Sequence, residues 1–184
     1  MELPIRCNSL YRVIGTKAPL GVLLYGASGT GKTRLAKAAC VSAGATLVEV
    51  SATEVSEGKA GEAEALLREK FSLAKENAPA VLLLDELDTL VPKSSGEGGG
   101  GEVGGGAGQG GTRLVSQLVT LLDDVSRWRE NVVVVATTSR PAGIDPSVRR
   151  AGRFDNEVIV PIPDQKVSHT AYSCSPYGES QLQL

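Results

Sequence analysis

The strongest chemical signal in this 184-residue chain is Gly26-Ala27-Ser28-Gly29-Thr30-Gly31-Lys32-Thr33, a complete GxxxxGKT pattern. Glycine has no Cβ and reaches positive φ, so Gly26, Gly29 and Gly31, with Thr30 between them, let backbone N–H groups turn inward around phosphate oxygens. Where such a turn opens a helix, the helix N-terminus adds a favourable field for an anion. Lys32 then offers a positive charge to the β- and γ-phosphates, and the Thr33 hydroxyl is a hard oxygen ligand for Mg²⁺. The second signal is Val81-Leu82-Leu83-Leu84-Asp85-Glu86. An apolar strand ending in two acids delivers carboxylates to the C-terminal edge of a parallel sheet, where α/β proteins bind ligands. Asp85 suits a magnesium ligand acting through the ion's water shell. Glu86 suits a general base that polarises an attacking water. Acids at a strand end serve equally well as a solvated turn or a helix cap; the glycine-rich turn upstream decides for the metal, which needs this second ligand. Asp88 reads as a solvated loop acid or a salt-bridge partner.

Such groups need a scaffold, and the chain carries its pattern. Gly21 to Tyr25, Thr46 to Val50, Ala80 to Leu84 and Asn131 to Ala136 are apolar runs of strand length, and Val158 to Val160 is a possible fifth. Between them, 32–43 and 62–77 space their apolar residues at helical intervals, as with Leu66, Leu67, Phe71 and Ala74. Residues 112–124 do the same through Leu114, Val115, Leu118, Leu121 and Leu122, with Thr112 as expected N-cap. Strands alternating with helices predict an α/β fold with a parallel sheet covered on both faces. Near-continuous apolar strands agree, because both their faces must be buried.

Residues 94–111 hold eleven of the 22 glycines and almost nothing apolar, which predicts a loop inside one domain rather than a boundary between two. Residues 165–184 have no periodicity and are expected to be a disordered tail, leaving 1–164 as the domain. With 41% hydrophobic but only 4% aromatic residues, the core must be built from Val, Leu, Ile and Ala. A net charge of −2 argues against nucleic acid as partner, since phosphate-neutralising proteins carry a basic excess. Cys7, Cys40 and Cys174 are odd in number and lack metal-binding spacing, which argues for reduced thiols and against zinc or a disulfide framework. No apolar run reaches the roughly 20 residues that span a bilayer, and no secretory leader is evident at the N-terminus. A soluble, intracellular protein of the cytoplasm or nucleus is the expectation.

GVLLYGASGTGKT, APAVLLLDELDTLVPK, VVVVATTSRP and IDPSVRRAGRFDNEVIVPIPD stand in the order and spacing of the AAA family of ATPases. Over residues 3–164 the chain resembles that family, most of all the first ATPase domain of its valosin-containing-protein-like members. The resemblance implies a P-loop NTPase three-layer sandwich, ATP and Mg²⁺ as ligands, and a homo- or hetero-oligomeric ring that remodels protein complexes through protein substrates or adaptors. It implies that the strand ending at Ala136-Thr137-Thr138 presents a sensor side chain to the γ-phosphate and attacking water. The family has Asn there; this chain has the shorter Ser139. It implies further that Arg150 and Arg153 are arginine fingers offered to ATP on the next subunit.

Departures from the family accompany the likeness. Gly58-Lys59-Ala60 stands where the family carries a bulky residue on its central-pore loop, so threading of a polypeptide is not expected. The segment that walls the adenine lies upstream of Leu3-Pro4-Ile5 in the family, and a helical lid domain follows the equivalent of Pro161-Ile162-Pro163-Asp164; neither is present. These differences predict weak nucleotide binding and low turnover, and they set an alternative beside the ATPase: a nucleotide-binding but catalytically inactive fragment or interaction subunit. A small GTPase is a poorer match, because no Asn-Lys-x-Asp guanine-reading pattern occurs.

Overall fold

The computed structural model of the chain describes residues 20–56, 61–93, 107–125 and 131–162, together with 11, 13–15 and 127; within 107–112 it describes the backbone alone. In chain order the elements are β1 (Gly21–Tyr25), α1 (Lys32–Ala43), β2 (Thr46–Val50), α2 (Ala52–Ser56), α3 (Glu62–Glu76), β3 (Ala80–Leu84), α4 (Leu87–Leu90), α5 (Ala107–Val125), β4 (Val132–Thr138), a 3₁₀ turn (Pro141–Gly143) and β5 (Asn156–Ile159). The five strands form one parallel sheet in the order β2-β3-β4-β1-β5.

Strand period explains the layers. Successive side chains point to opposite faces, so Leu23, Leu82, Leu84, Val134 and Ala136 face one side and Val22, Leu24, Val81, Leu83, Val133 and Val135 the other. The first face is covered by α2 to α5 through residues such as Leu67, Phe71, Leu87 and Leu118. The second is covered by α1 through Ala36, Cys40 and Ala43, whose small side chains let the helix lie close to the strands. The result is a three-layer sandwich. Burying an aliphatic or Phe side chain contributes about 1.5–3 kcal/mol, and β3 and β4 are buried along their whole length. Cys40 donates its Sγ hydrogen to the Ala45 carbonyl at 3.2 Å, and burial raises its thiol pKa, which keeps it in the unreactive form. Among the described residues no helix is long and apolar enough to cross a membrane.

β1, β2, β3 and α1 follow the sequence pattern closely; β4 starts at Val132 and runs on to Thr138, β5 covers Asn156–Ile159 rather than 158–160 and is exposed along its length, and three helices depart further. Helix α5 begins at Ala107 rather than Thr112, so the last five residues of the glycine-rich stretch are helical and Thr112 lies inside the helix rather than capping it. Helix growth adds one hydrogen bond for each residue fixed; with a strong apolar face at 114–122 packed on the core, it outruns the roughly 1 kcal/mol that each glycine opposes. Helices α2 and α4 are five and four residues long, too short to display a period. Asp88 sits in the first turn of α4, where its carboxylate accepts a 2.8 Å hydrogen bond from the Thr138 hydroxyl and, among the described residues, forms no salt bridge. Residues 94–106, the pore-loop positions 58–60, Cys7, Cys174 and the tail 165–184 lie outside the described residues.

Candidate active site

β1, β3 and β4 all end at the same edge of the sheet, and the sequence-predicted residues other than Arg150 and Arg153 gather there. The cleft has a volume of about 320 Å³ and is lined by Gly29, Gly31, Lys32, Thr33, Asp85, Glu86 and Ser139, with Ser28, Arg34, Thr137 and Thr138 completing the wall. Gly26 follows β1 directly, with the Val160 backbone packed against it in the space a Cβ would fill. Gly31 is the N-cap of α1 at φ 88°, and no side chain caps that helix. Its first-turn N–H groups are therefore left for an outside acceptor.

Lys32 is 9% exposed. Its Nζ donates to the Gly26 carbonyl at 3.0 Å and the Ala27 carbonyl at 2.7 Å, both in its own loop. Among the described residues no carboxylate pairs with it. A buried cation satisfied only by carbonyl dipoles is poised for an anion. Thr30 also folds onto the loop, its hydroxyl donating to the Ala27 carbonyl at 2.9 Å.

One helical step on, the Thr33 hydroxyl donates to Asp85 Oδ1 at 2.9 Å, which brings the ends of α1 and β3 together. Thr137, on β4, donates its hydroxyl to the same Asp85 oxygen and accepts the Glu86 N–H at 3.2 Å. Glu86 stands at φ 55°, the one described non-glycine residue in the left-handed region. That conformation costs about 1–2 kcal/mol. It turns the chain immediately after Asp85, where β3 gives way to α4.

Thr137 and Thr138 are cleft-lining residues that the pattern did not single out. Their sign was present: they are the only hydroxyls in a strand otherwise of Val and Ala, placed at its C-terminal end. Thr138 ties down the bend by donating to Asp88 and accepting the Arg140 N–H at 3.0 Å. Ser139 is exposed at the lip of the cleft.

Arg150 and Arg153 lie apart from this cleft, on the loop between the 3₁₀ turn and β5. Arg150 is exposed and among the described residues its guanidinium makes no hydrogen bond, though its charge adds to the Ser147 hydrogen bonds that hold the Asp145 carboxyl below its ordinary pKa. Arg153 is held within its own chain: Nε and Nη2 reach the two carboxylate oxygens of Asp123 at 2.8 and 2.9 Å, and Nη1 donates to the Ser147 carbonyl. That bidentate pair draws the Asp123 carboxyl below its ordinary pKa and raises that of Arg153.

The donor set fits a triphosphate with magnesium. A hydroxyl and one carboxylate are hard oxygen donors, and Mg²⁺ sites complete themselves from waters and substrate phosphates rather than from an all-protein cage. Accordingly, no cluster of three or more His, Cys, Asp or Glu that could hold a metal by itself occurs among the described residues. Residues 22–162 match the model of the family described as ATPase family associated with various cellular activities (AAA).

Proposed function

The chain belongs to the AAA family, and on that premise we propose that it binds ATP with Mg²⁺ in the cleft between α1, β3 and β4 and hydrolyses it. The observation that carries this reading is the convergence of Lys32, Thr33, Asp85 and Glu86 around one cleft, with the Thr33 hydroxyl 2.9 Å from Asp85. The loop of Gly26 to Gly31 wraps the phosphates with N–H groups. Lys32 leaves its loop carbonyls for the β- and γ-phosphoryl oxygens. Thr33 and Asp85 would hold the magnesium, Asp85 partly through water, and the ion would supply charge neutralisation on the phosphates. Glu86 accepts a proton from the attacking water, oriented by the bend that Thr137 braces. Ser139, at the cleft lip, senses the terminal phosphate as the family's Asn does.

The same proposal extends to assembly. Arg150 and Arg153 belong to the segment that the family offers to a neighbour's nucleotide, and the exposed Arg150 guanidinium, without a hydrogen bond among the described residues, supports such a role. In this reading the chain works in an oligomeric ring, on protein complexes, in the cytoplasm or nucleus, and is closest in kind to the first ATPase domain of valosin-containing-protein-like members. Steady-state ATP hydrolysis by the chain and by Glu86→Gln tests the chemistry. Glu86→Gln should bind ATP unchanged and lose turnover by about a hundredfold or more; equal rates would remove Glu86 from its role. One observation favours a second reading, a nucleotide-binding but inactive subunit: Ser139 is shorter than the family's Asn and is exposed rather than braced. ATP binding without turnover, alone and mixed with active partner subunits, would decide for it.

A further inference from the structure

Arg149, Arg150 and Arg153 occupy one short loop, and the fold treats them differently. Arg149 lies clamped along β5, its Nε and Nη2 on the two carboxylate oxygens of Glu157 at 2.7 and 2.9 Å and its Nη1 on the Pro141 carbonyl at 3.0 Å. Arg153 is clamped the other way, onto the C-terminal end of α5 through Asp123, with only 16% of its side chain exposed. Its backbone is engaged as well: the Arg153 N–H donates to the Arg150 carbonyl at 3.1 Å, and the next residue, Phe154, is fully buried with its N–H on the Val148 carbonyl at 3.3 Å. Between these anchors, Arg150, Ala151 and Gly152 form an exposed tip.

A guanidinium that must reach another chain has to be presented to solvent, and one spent bidentately on a carboxylate is not. Resting on the ATPase reading above, we infer that the two arginines divide their work. Arg150 alone is offered to the neighbour's ATP, while Arg153 and Asp123 form an intrachain positioning pair that fixes the Arg150 tip against α5. The pair joins residues 30 apart in sequence and gives the tip a rigid base. Arg153 thus acts through Arg150, by holding its backbone, rather than on the phosphate.

A double-mutant cycle on the full chain tests this, with Asp123→Ala, Arg153→Ala, their combination and Arg150→Ala. Melting midpoints without nucleotide and kcat and KM for ATP are read for each. The pair predicts that Asp123→Ala, Arg153→Ala and the double variant lower kcat by one common factor, about tenfold to a hundredfold, with midpoints lowered non-additively. Arg150→Ala should lower kcat about a thousandfold or more with its midpoint unmoved. An Arg153→Ala loss as deep as that of Arg150→Ala, beside an Asp123→Ala variant that turns over normally, would overturn the division. If Arg153→Ala does not fold, Asp123→Asn decides: kcat falls if the pair positions the tip, and holds or rises if it merely restrains a second finger. Should the unaltered chain bind ATP without turnover, the ATPase reading fails while the nucleotide-free cycle still speaks; additive midpoints would then dispose of the pair.

Discussion

Replacing Lys32 by Met separates what this residue does for the fold from what it does for the ligand. Without nucleotide, the ammonium makes two hydrogen bonds to loop carbonyls, at 3.0 and 2.7 Å. Bonds from a charged donor contribute about 1.5–3 kcal/mol each. Against them stands the desolvation of an ammonium only 9% exposed with no carboxylate partner, a cost of several kcal/mol. The methionine keeps the apolar stem. The two effects nearly offset, leaving a net change of about 1 kcal/mol, or about 2–4 °C in the melting midpoint for a chain this long. With nucleotide the balance differs, because truncating one partner of a buried charge pair costs about 2–5 kcal/mol, hence at least about thirtyfold in affinity. A thermal-shift titration reads both quantities. ATP-Mg at a hundred times the wild-type Kd stabilises by about 2.7 kcal/mol, a rise of about 5–10 °C. Lys32→Met at the same concentration should gain about 0.9 kcal/mol, or 2–3 °C. An equal rise in both proteins would show that the ammonium never meets phosphate. A ligand-free midpoint lower by about 10 °C or more would show that Lys32 is structural and that the offset argued here is wrong.

Further outcomes follow from the same geometry. Glu86→Gly releases a left-handed residue at φ 55°; it should stabilise the chain by about 0.5–1 kcal/mol in urea unfolding while abolishing hydrolysis, and a destabilised variant would show that Glu86 is not strained. Asp123 titrates below its ordinary value because Arg153 bonds its charged form. The stabilisation from that pair is therefore complete above the unfolded-state pKa of about 3.9 and lost as pH falls through the lower folded value. The midpoint gap between wild type and Asp123→Asn should stay constant from neutral pH to about 4.5 and close in stronger acid; a gap that closes already near pH 6 would assign it to another group. Gly21→Ala drives a Cβ into the Arg153 carbonyl, backbone against backbone, and should cost more than about 2 kcal/mol. Gly44→Ala, with open space around it at φ 67°, should cost about 1 kcal/mol, so equal losses in denaturant would refute the contact.

Legibility of the sequence followed physical range. β1, β2, β3 and α1 could be read to the residue because local period and a strong boundary coincide there: apolar runs closed by glycine, serine or acids, and a helix opened by Gly31 and ended at Gly44. The cleft was legible for a related reason. A loop that binds phosphate needs glycine at fixed intervals, so its chemistry is written in consecutive residues. What could not be read is what distance in sequence conceals. Thr137 meets Asp85 across 52 positions and Arg153 meets Asp123 across 30, and nothing in either segment announces its partner. The start of α5 was obscured differently: glycine content argued for a loop, and packing of residues further along won.

β1 is held at both ends by main-chain contacts. At its first residue, Gly21 lies directly on the Arg153 carbonyl, and just past its last, Gly26 lies directly on the Val160 carbonyl. Side chains elsewhere can rotate to absorb a displacement; these two contacts are main chain on main chain and have none to rotate. The strand therefore behaves as a short push-rod, with the phosphate loop at one end and the base of the arginine tip at the other. Any displacement of the phosphate loop therefore has a stiff main-chain route to the loop that carries Arg150 and Arg153.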